Sequence, residues 1–210
     1  GRGHSVRLFA ALLLPPDVVA HVDATVAPNR DDVLRWAAMD SWHLTLAFYG
    51  QVDDRRVPDL KARLTRAARR HPVQSLALSG AGQFSQRALW IGCECDVPTM
   101  RALAQSVAAA GRRVGAAAEE SRRFKAHVTV ARAAKLVDLR SYVSALGTYR
   151  GPQWTADAVA LVRGPAPGGG RGRSPPSGPL RHRGHPRIRP ARGPGGRRGL
   201  GGRRRETRDA

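Results

Sequence analysis

A short motif that occurs twice constrains the fold of this chain more than any other sequence feature. Residues 42–50 read WHLTLAFYG and residues 126–134 read AHVTVARAA, so each apolar segment contains His-x-Thr-x. Side chains alternate along a strand, so the histidine and threonine of each copy point to one face and the aliphatic residues to the other. The two copies follow similar strand–helix patterns, which indicates an internal duplication that builds two similar halves.

The hydrophobic pattern around the two copies predicts an α+β fold. Alternating apolar residues indicate strands, and apolar residues at helical spacing indicate helices. The expected strands are 6–14, 33–36, 42–49, 74–79, 88–95, 126–131 and 154–162. The expected helices begin at the PPD of 15–17, span 56–70, run from Pro98 to about Gly111, and span 136–146. This order favours two pseudo-symmetric lobes of mostly antiparallel sheet, with outer helices around a central cleft.

The paired motifs carry a specific chemistry if both face that cleft. One His-x-Thr on a strand is typical of a structural histidine, whereas two matched copies favour an active site. Imidazole titrates near neutral pH, so of His43 and His127 one ring can accept a proton while the other donates one, in a substitution at phosphorus. The hydroxyls of Thr45 and Thr129 can hydrogen-bond to non-bridging phosphate oxygens. Neither histidine has an Asp, Glu and Cys cluster nearby, so we expect no metal and no other cofactor.

The charge pattern separates a moderately basic body from a very basic end. The formal net charge is +20 and the pI is about 11.7. This charge favours an anionic partner, and nucleic acid is the first candidate. Residues 164–210 contain 13 Arg, 13 Gly, 8 Pro and no aromatic residue, so we expect this tail to be disordered. It is either an RNA-binding tail or a non-native end. We expect 6–163 to form the two-lobed domain, and 1–5 to be a leader or a non-native remnant.

The sequence also bears on the compartment of the protein. The apolar run LFAALLL at 8–14 is short for a signal peptide and is followed directly by PPD, so we interpret it as a buried strand. No apolar run approaches the roughly 18 residues that a membrane helix needs. Two closely spaced cysteines, Cys93 and Cys95, fit a reducing compartment. We expect a cytoplasmic monomer with no membrane segment.

The sequence resembles the 2H phosphoesterase superfamily, and more narrowly the bacterial and archaeal RNA 2′,3′-cyclic phosphodiesterases, also called 2′-5′ RNA ligases. The resemblance covers residues 7 to about 163. Its segments are RLFAALLLPPDV, HLTLAFYG, GAGQFSQRALWIG, RRFKAHVTVAR and WTADAVALVR. It implies a two-lobed α+β enzyme that hydrolyses the 2′,3′-cyclic phosphate ends of RNA, or cyclic nucleotides, to 2′-phosphates without a metal. Reversible 2′-5′ RNA ligation is an implied side activity.

The resemblance also implies roles for individual residues. His127 would activate the water, and His43 would protonate the departing 3′ oxygen. Phe48 would stack on the nucleobase, and Arg132 would hold the phosphate. Both of these lie five residues after their histidine, so ideal alternation would place them on the opposite face. They reach the cleft only if the strand ends or bulges first, and Gly50 is the expected end of the first strand.

One departure from the resemblance and one alternative function remain open. After residue 163 the family continues with a turn and a last strand, whereas this chain continues with Gly, Pro and Arg. A missing last strand would leave a sheet edge unpaired. The alternative function is a non-catalytic RNA-binding protein that uses the basic C-terminal tail, and charge alone supports it.

Overall fold

The structure is a computed structural model that describes residues 4–116 and 124–164. The strands in these ranges are β1 Ser5–Leu13, β2 Arg35–Trp36, β3 His43–Asp53, β4 Gln74–Phe84, β5 Ala88–Glu94, β6 His127–Arg132, β7 Arg150–Ala156 and β8 Ala160–Arg163. The α-helices are α1 Pro16–Val26, α2 Val57–Arg69, α3 Val97–Arg113 and α4 Arg140–Leu146. Of these helices, none is long and apolar enough to cross a membrane.

The strands form two antiparallel sheets. One has the order β3-β1-β8 and the other the order β2-β6-β5-β4-β7. The two His-x-Thr-x strands therefore belong to different sheets, β3 to the first and β6 to the second, and these two strands contact each other. The α+β prediction with mostly antiparallel sheet is confirmed.

The helices that connect the strands are exchanged between the two sheets. Helix α1, which links β1 to the first motif, packs on β7 of the five-stranded sheet. Helix α3, which links β5 to the second motif, packs on β3 of the three-stranded sheet. Each helix buries an apolar stripe at helical spacing, such as Val18, Val22 and Val26 of α1. The buried side chains of both sheets consequently form one continuous core.

The close approach of α3 to β3 depends on Gly111. Tyr49 of β3 has no exposed surface, and its hydroxyl donates to the backbone carbonyl of Val107 at 2.9 Å. A Cβ atom at Gly111 would lie 2.4 Å from the Tyr49 ring, closer than side chains approach one another. Burial raises the pKa of Tyr49, so the hydroxyl stays protonated. The absence of a side chain at 111 therefore lets the helix rest directly on the tyrosine ring.

Four elements differ from the sequence prediction. Strand β4 continues to Phe84, five residues past its expected end at 79. The segment 154–162 is two strands, because β7 pairs with β4 in one sheet and β8 pairs with β1 in the other. The helix expected over 136–146 begins at Arg140, since the Asp138 carboxylate accepts a hydrogen bond from the Arg140 backbone N–H at 3.1 Å in a local turn. Gly50 does not end its strand: it adopts φ 63° inside β3, which continues to Asp53.

Several predictions concern residues outside the described ranges. These are the disorder of 164–210, whose first residue alone is described, the missing last strand, and most of the segment 1–5. Within the described residues, β8 lies at the edge of the three-stranded sheet. Its four residues pair with Leu8–Ala11 of β1.

Candidate active site

The first His-x-Thr-x strand contains a β-bulge at the fourth motif residue. Along β3, Thr45 pairs with Ala11 of β1 and Ala47 pairs with Ala10, so Leu46 is an extra residue without a partner of its own. Leu46 and Ala47 are both buried, which means that two consecutive side chains face the core. A bulge of this kind resets the alternation of the residues that follow it.

The second strand contains the same irregularity at the equivalent position. Along β6, Thr129 pairs with Trp90 of β5 and Ala131 pairs with Leu89, so Val130 is the extra residue. From histidine to the sixth residue, both strands show the same order: half-buried, buried, half-buried, buried, buried, exposed. The two copies match in their departure from regular geometry as well as in their sequence.

The bulge brings Phe48 to the face that carries the first motif. Strand β1 has no extra residue, and it pairs with His43, Thr45 and Phe48 through residues 13, 11 and 9, which share one face. The rings agree with this register, because Phe9 stacks on His43 at a centroid distance of 4.6 Å and lies 6.0 Å from Phe48. The expectation that the strand ends at Gly50 is wrong, and the bulge is the correct alternative.

The same reasoning applies to Arg132. Strand β5 pairs with His127, Thr129 and Arg132 through residues 92, 90 and 88, which also share one face. Arg132 therefore lies on the face of the second motif, and its charge is one of the causes that lower the pKa of His127. The structure thus places Phe48 and Arg132 at equivalent positions of the two copies.

The surroundings of His43 are mainly aromatic. The imidazole is half-buried under the stacked ring of Phe9, and Leu13 pairs with it across the sheet. Burial lowers the pKa of His43, and a hydrogen bond with the backbone of Ser41 partly opposes this effect. A bound anion would favour the protonated ring again, as a proton donor to a phosphate ester requires.

The surroundings of His127 fix its tautomer. Its Nδ1 lies 2.6 Å from the backbone carbonyl of Lys125, and a carbonyl only accepts, so Nδ1 carries the proton. The Nε2 atom of the neutral ring is then left as a proton acceptor. Phe84 and Trp90 pack around the imidazole at centroid distances of 5.0 and 5.9 Å. Burial is the main cause that lowers the pKa of His127, which keeps the ring neutral at pH 7.

The face of the second sheet that carries His127 is basic. The Lys125 ammonium lies 4.3 Å above the centroid of the Trp90 ring, a cation–π contact, and contributes with Arg132 to the lowered pKa of His127. Within residues 4–116 and 124–164, no group of three or more His, Cys, Asp or Glu side chains is arranged to hold a metal ion. Lys125 and Arg132 both supply positive charge beside His127.

The aromatic residues beside the histidines were not predicted from the sequence. Phe9, Phe84 and Trp90 lie on strands whose neighbours could not be inferred from periodicity. The QFSQRALW stretch at 83–90 was a usable signal, because Trp90 and Phe84 lie on opposite arms of a hairpin there. Their pairing against β6 was the missing information.

Two contacting strands from two sheets, each with a histidine and a threonine on one face, define a phosphoesterase of the two-histidine class. The profile of the 2′-5′ RNA ligase superfamily matches residues 14–166, and the chain belongs to this superfamily of enzymes. The resemblance found in the sequence is thereby confirmed.

Individual relatives agree with this assignment. The chain is 33% identical over 130 residues to the RNA 2′,3′-cyclic phosphodiesterase of Escherichia coli K12, over 60% of this chain and 71% of that protein. It is 35% identical over 63 residues to the RNA 2′,3′-cyclic phosphodiesterase of Thermotoga maritima, which is 28% of this chain and 34% of that protein. The crystal structure of E. coli LigT in apo form has a similar fold, with a TM-score of 0.61 and 25% identity over 76% of this chain and 87% of that chain.

Proposed function

We propose that this protein opens 2′,3′-cyclic phosphates at RNA ends to 2′-phosphates by a metal-independent, two-histidine mechanism. The observation that carries the proposal is the matched bulge, which places a histidine, a threonine and the sixth motif residue, Phe48 or Arg132, on one face of each copy. The names of the two curated relatives support the choice of substrate. We further propose that the protein acts in the cytoplasm as a monomer.

In the proposed reaction His127 is the general base. Its Nε2 takes a proton from water, and the water oxygen attacks phosphorus. The bond between phosphorus and the 3′ oxygen breaks, and protonated His43 gives its proton to that oxygen. The product carries a 2′-phosphate and a free 3′-hydroxyl. When an RNA 5′-hydroxyl replaces the water, the same displacement makes a 2′-5′ linkage.

The remaining cleft residues would bind the substrate. Thr45 and Thr129 lie two residues after the histidines on the same face, where their hydroxyls can donate to the non-bridging oxygens of the phosphate. Arg132 would stabilise the negative charge of the phosphate through charge-assisted hydrogen bonds. Phe48, of which 48% is exposed, offers a free ring face on which a nucleobase can stack.

Product analysis tests this proposal directly. An RNA oligonucleotide that ends in a 2′,3′-cyclic phosphate is incubated with the protein, and the products are separated against 2′- and 3′-phosphate standards. We expect the 2′-phosphate, at the same rate with EDTA or Mg²⁺. A 3′-phosphate product would contradict the assigned regiochemistry, and a tenfold loss in EDTA that a metal restores would contradict metal independence. A preparation with both histidines replaced by alanine controls for contaminating ribonuclease.

The pH dependence of kcat/KM provides a separate prediction. The reaction needs one neutral and one protonated histidine. The plot of kcat/KM against pH is therefore bell-shaped, and its two limbs report the pKa values of the two histidines in the free enzyme. Because burial lowers both pKa values from 6.5, we expect the maximum below about pH 6.5. Arg132→Gln should move the profile to higher pH, since the Arg132 charge contributes to the lowered pKa of His127. A wild-type maximum above about pH 7 would contradict these environments.

A further inference from the structure

Two arginines lie directly opposite each other on the face of the second sheet that carries His127. Arg35 of β2 pairs in register with Arg132 of β6, which pairs on its other side with Ala88 of β5. Residues paired across antiparallel strands share a face, so Arg35 lies on the face that carries Thr129 and His127. The next residue, Trp36, accordingly turns to the opposite face and packs against the core.

The local structure holds Arg35 at this position. Just before β2, the Asp31 carboxylate accepts hydrogen bonds from the backbone N–H groups of Val33 and Leu34 at 3.0 and 3.3 Å, and another from the Tyr142 hydroxyl. The Trp36 ring packs edge-on against Tyr142 at a centroid distance of 6.1 Å. Both residues that flank the arginine, at 34 and 36, are thereby anchored to the body of the protein.

The arginine pair has no neutralising partner within residues 4–116 and 124–164. Like charges directly opposite each other on a sheet are destabilising. Among the described residues, neither Arg35 nor Arg132 forms an ion pair or a side-chain hydrogen bond, and both are exposed. Two arginines at paired positions on one face of neighbouring strands are suited to an anion with several acceptor oxygens.

Arg35 is farther from the proposed chemistry than Arg132. Strand β2 is the edge of the sheet, on the side of β6 that faces away from β5. The partners of Thr129 and Arg132 on β5 are two residues apart, so the arginine pair begins about 7 Å along the strand from the threonine. The charge of Arg132 affects His127, whereas Arg35 is not among the causes that shift the pKa of that histidine.

We infer that Arg35, beside the Arg132 that contacts the cyclic phosphate, forms a second anion subsite that binds the phosphodiester preceding the terminal nucleotide of the substrate. This inference rests on the proposed function, because it assumes that the cyclic phosphate is held between the two histidines. It makes RNA oligonucleotides, and not cyclic mononucleotides, the preferred substrate class. The cyclic mononucleotide has no second phosphate with which Arg35 can interact.

The test compares the activity of the 210-residue chain on two substrates. We measure kcat/KM for a 2′,3′-cyclic mononucleotide and for a pentanucleotide with the same cyclic end, using wild type, Arg35→Ala and Arg70→Ala. Arg70 lies just after α2 and is exposed. Its replacement by alanine therefore removes the same charge at a site away from the two motifs. We expect Arg35→Ala to lose roughly 10-fold on the pentanucleotide, mainly in KM, and less than about 2-fold on the mononucleotide. Arg70→Ala should match wild type on both.

Each other result has a defined meaning. Equal losses on both substrates, no loss on either, or the same selective loss in Arg70→Ala would overturn the subsite. If wild type opens neither substrate, the proposed function fails, and the subsite is then judged by binding alone. In that case anisotropy with a labelled pentanucleotide that ends in a 2′-phosphate must show weaker binding and a shallower salt dependence for Arg35→Ala than for Arg70→Ala. Equal affinities in that measurement would overturn the subsite.

Discussion

Replacing His127 by alanine is expected to lower kcat for opening of a cyclic phosphate by roughly 10²–10⁴-fold, and His43→Ala should cause a loss of similar size. In each variant one proton transfer loses its positioned partner. The general base is lost when residue 127 is alanine, and the general acid is lost when residue 43 is alanine. Because both groups act in one step, the double variant should be little slower than the slower single variant. Single-turnover rates with a cyclic-phosphate oligonucleotide measure these losses.

A matched histidine outside the cleft separates loss of chemistry from loss of fold. His71 follows α2, is also half-buried, and its Nε2 lies 2.8 Å from the Ser106 hydroxyl. Like those of the cleft histidines, its pKa is lowered by burial. His71→Ala should therefore retain activity and show a similar change in melting temperature. Turnover of either cleft variant within tenfold of wild type, with the His71 variant as reference, would refute the two-histidine mechanism.

Tyr49→Ala is expected to lower the free energy of unfolding by about 3–5 kcal/mol. The Tyr49 ring fills the space between β3 and α3, because Gly111 of α3 has no side chain that could occupy it. Truncation would leave a cavity and remove the hydrogen bond to the Val107 carbonyl. Urea unfolding followed by circular dichroism measures the change, which should appear in the midpoint rather than in the slope.

The adjacent residue is the matched control for this prediction. Phe48 is also aromatic, but the bulge turns it to the face that carries His43 and Thr45, where 48% of it is exposed. Phe48→Ala should change the stability by less than about 0.5 kcal/mol and raise KM for a cyclic nucleotide roughly 5- to 10-fold, in line with the loss of one base–aromatic stack. If the two substitutions had similar effects on stability, the proposed register of β3 would be wrong.

The sequence predicted the strand positions of both motifs because apolar alternation and His-x-Thr spacing are local properties. His43, Thr45, His127 and Thr129 could therefore be assigned to common faces without knowledge of any neighbouring strand. The odd spacing of five residues from each histidine also showed that residues 48 and 132 reach the motif face only if the strand is irregular. It could not locate that irregularity, because a bulge is defined by the register with the partner strand. Leu46 and Val130 look like ordinary alternating residues until β1 and β5 are placed beside them.

Other features were hidden because they depend on which elements are neighbours. Arg35 was part of a predicted strand, but its place opposite Arg132 follows only from the sheet order. Phe9 lies in the strand that was expected to be buried, and it is buried, but its stacking on His43 follows only from the pairing of β1 with β3. The stretch 154–162 has the pattern of one strand because apolar alternation continues while the chain passes from one sheet to the other. Periodicity does not depend on which strand is the partner, so it cannot indicate that change.

The exchange of helices and the return of β8 to β1 determine how the chain can fold. Strand β1 obtains its second neighbour from residues 160–163, and the buried side of β3 is covered by α3, so distant segments must meet before the first sheet is complete. Such long-range contacts slow folding. The two halves are therefore not autonomous units, although the sequence repeats. A nascent chain that has emerged only as far as β5 carries its first histidine but lacks the α3 and β8 segments that cover β3 and β1, so it exposes apolar surface that favours aggregation.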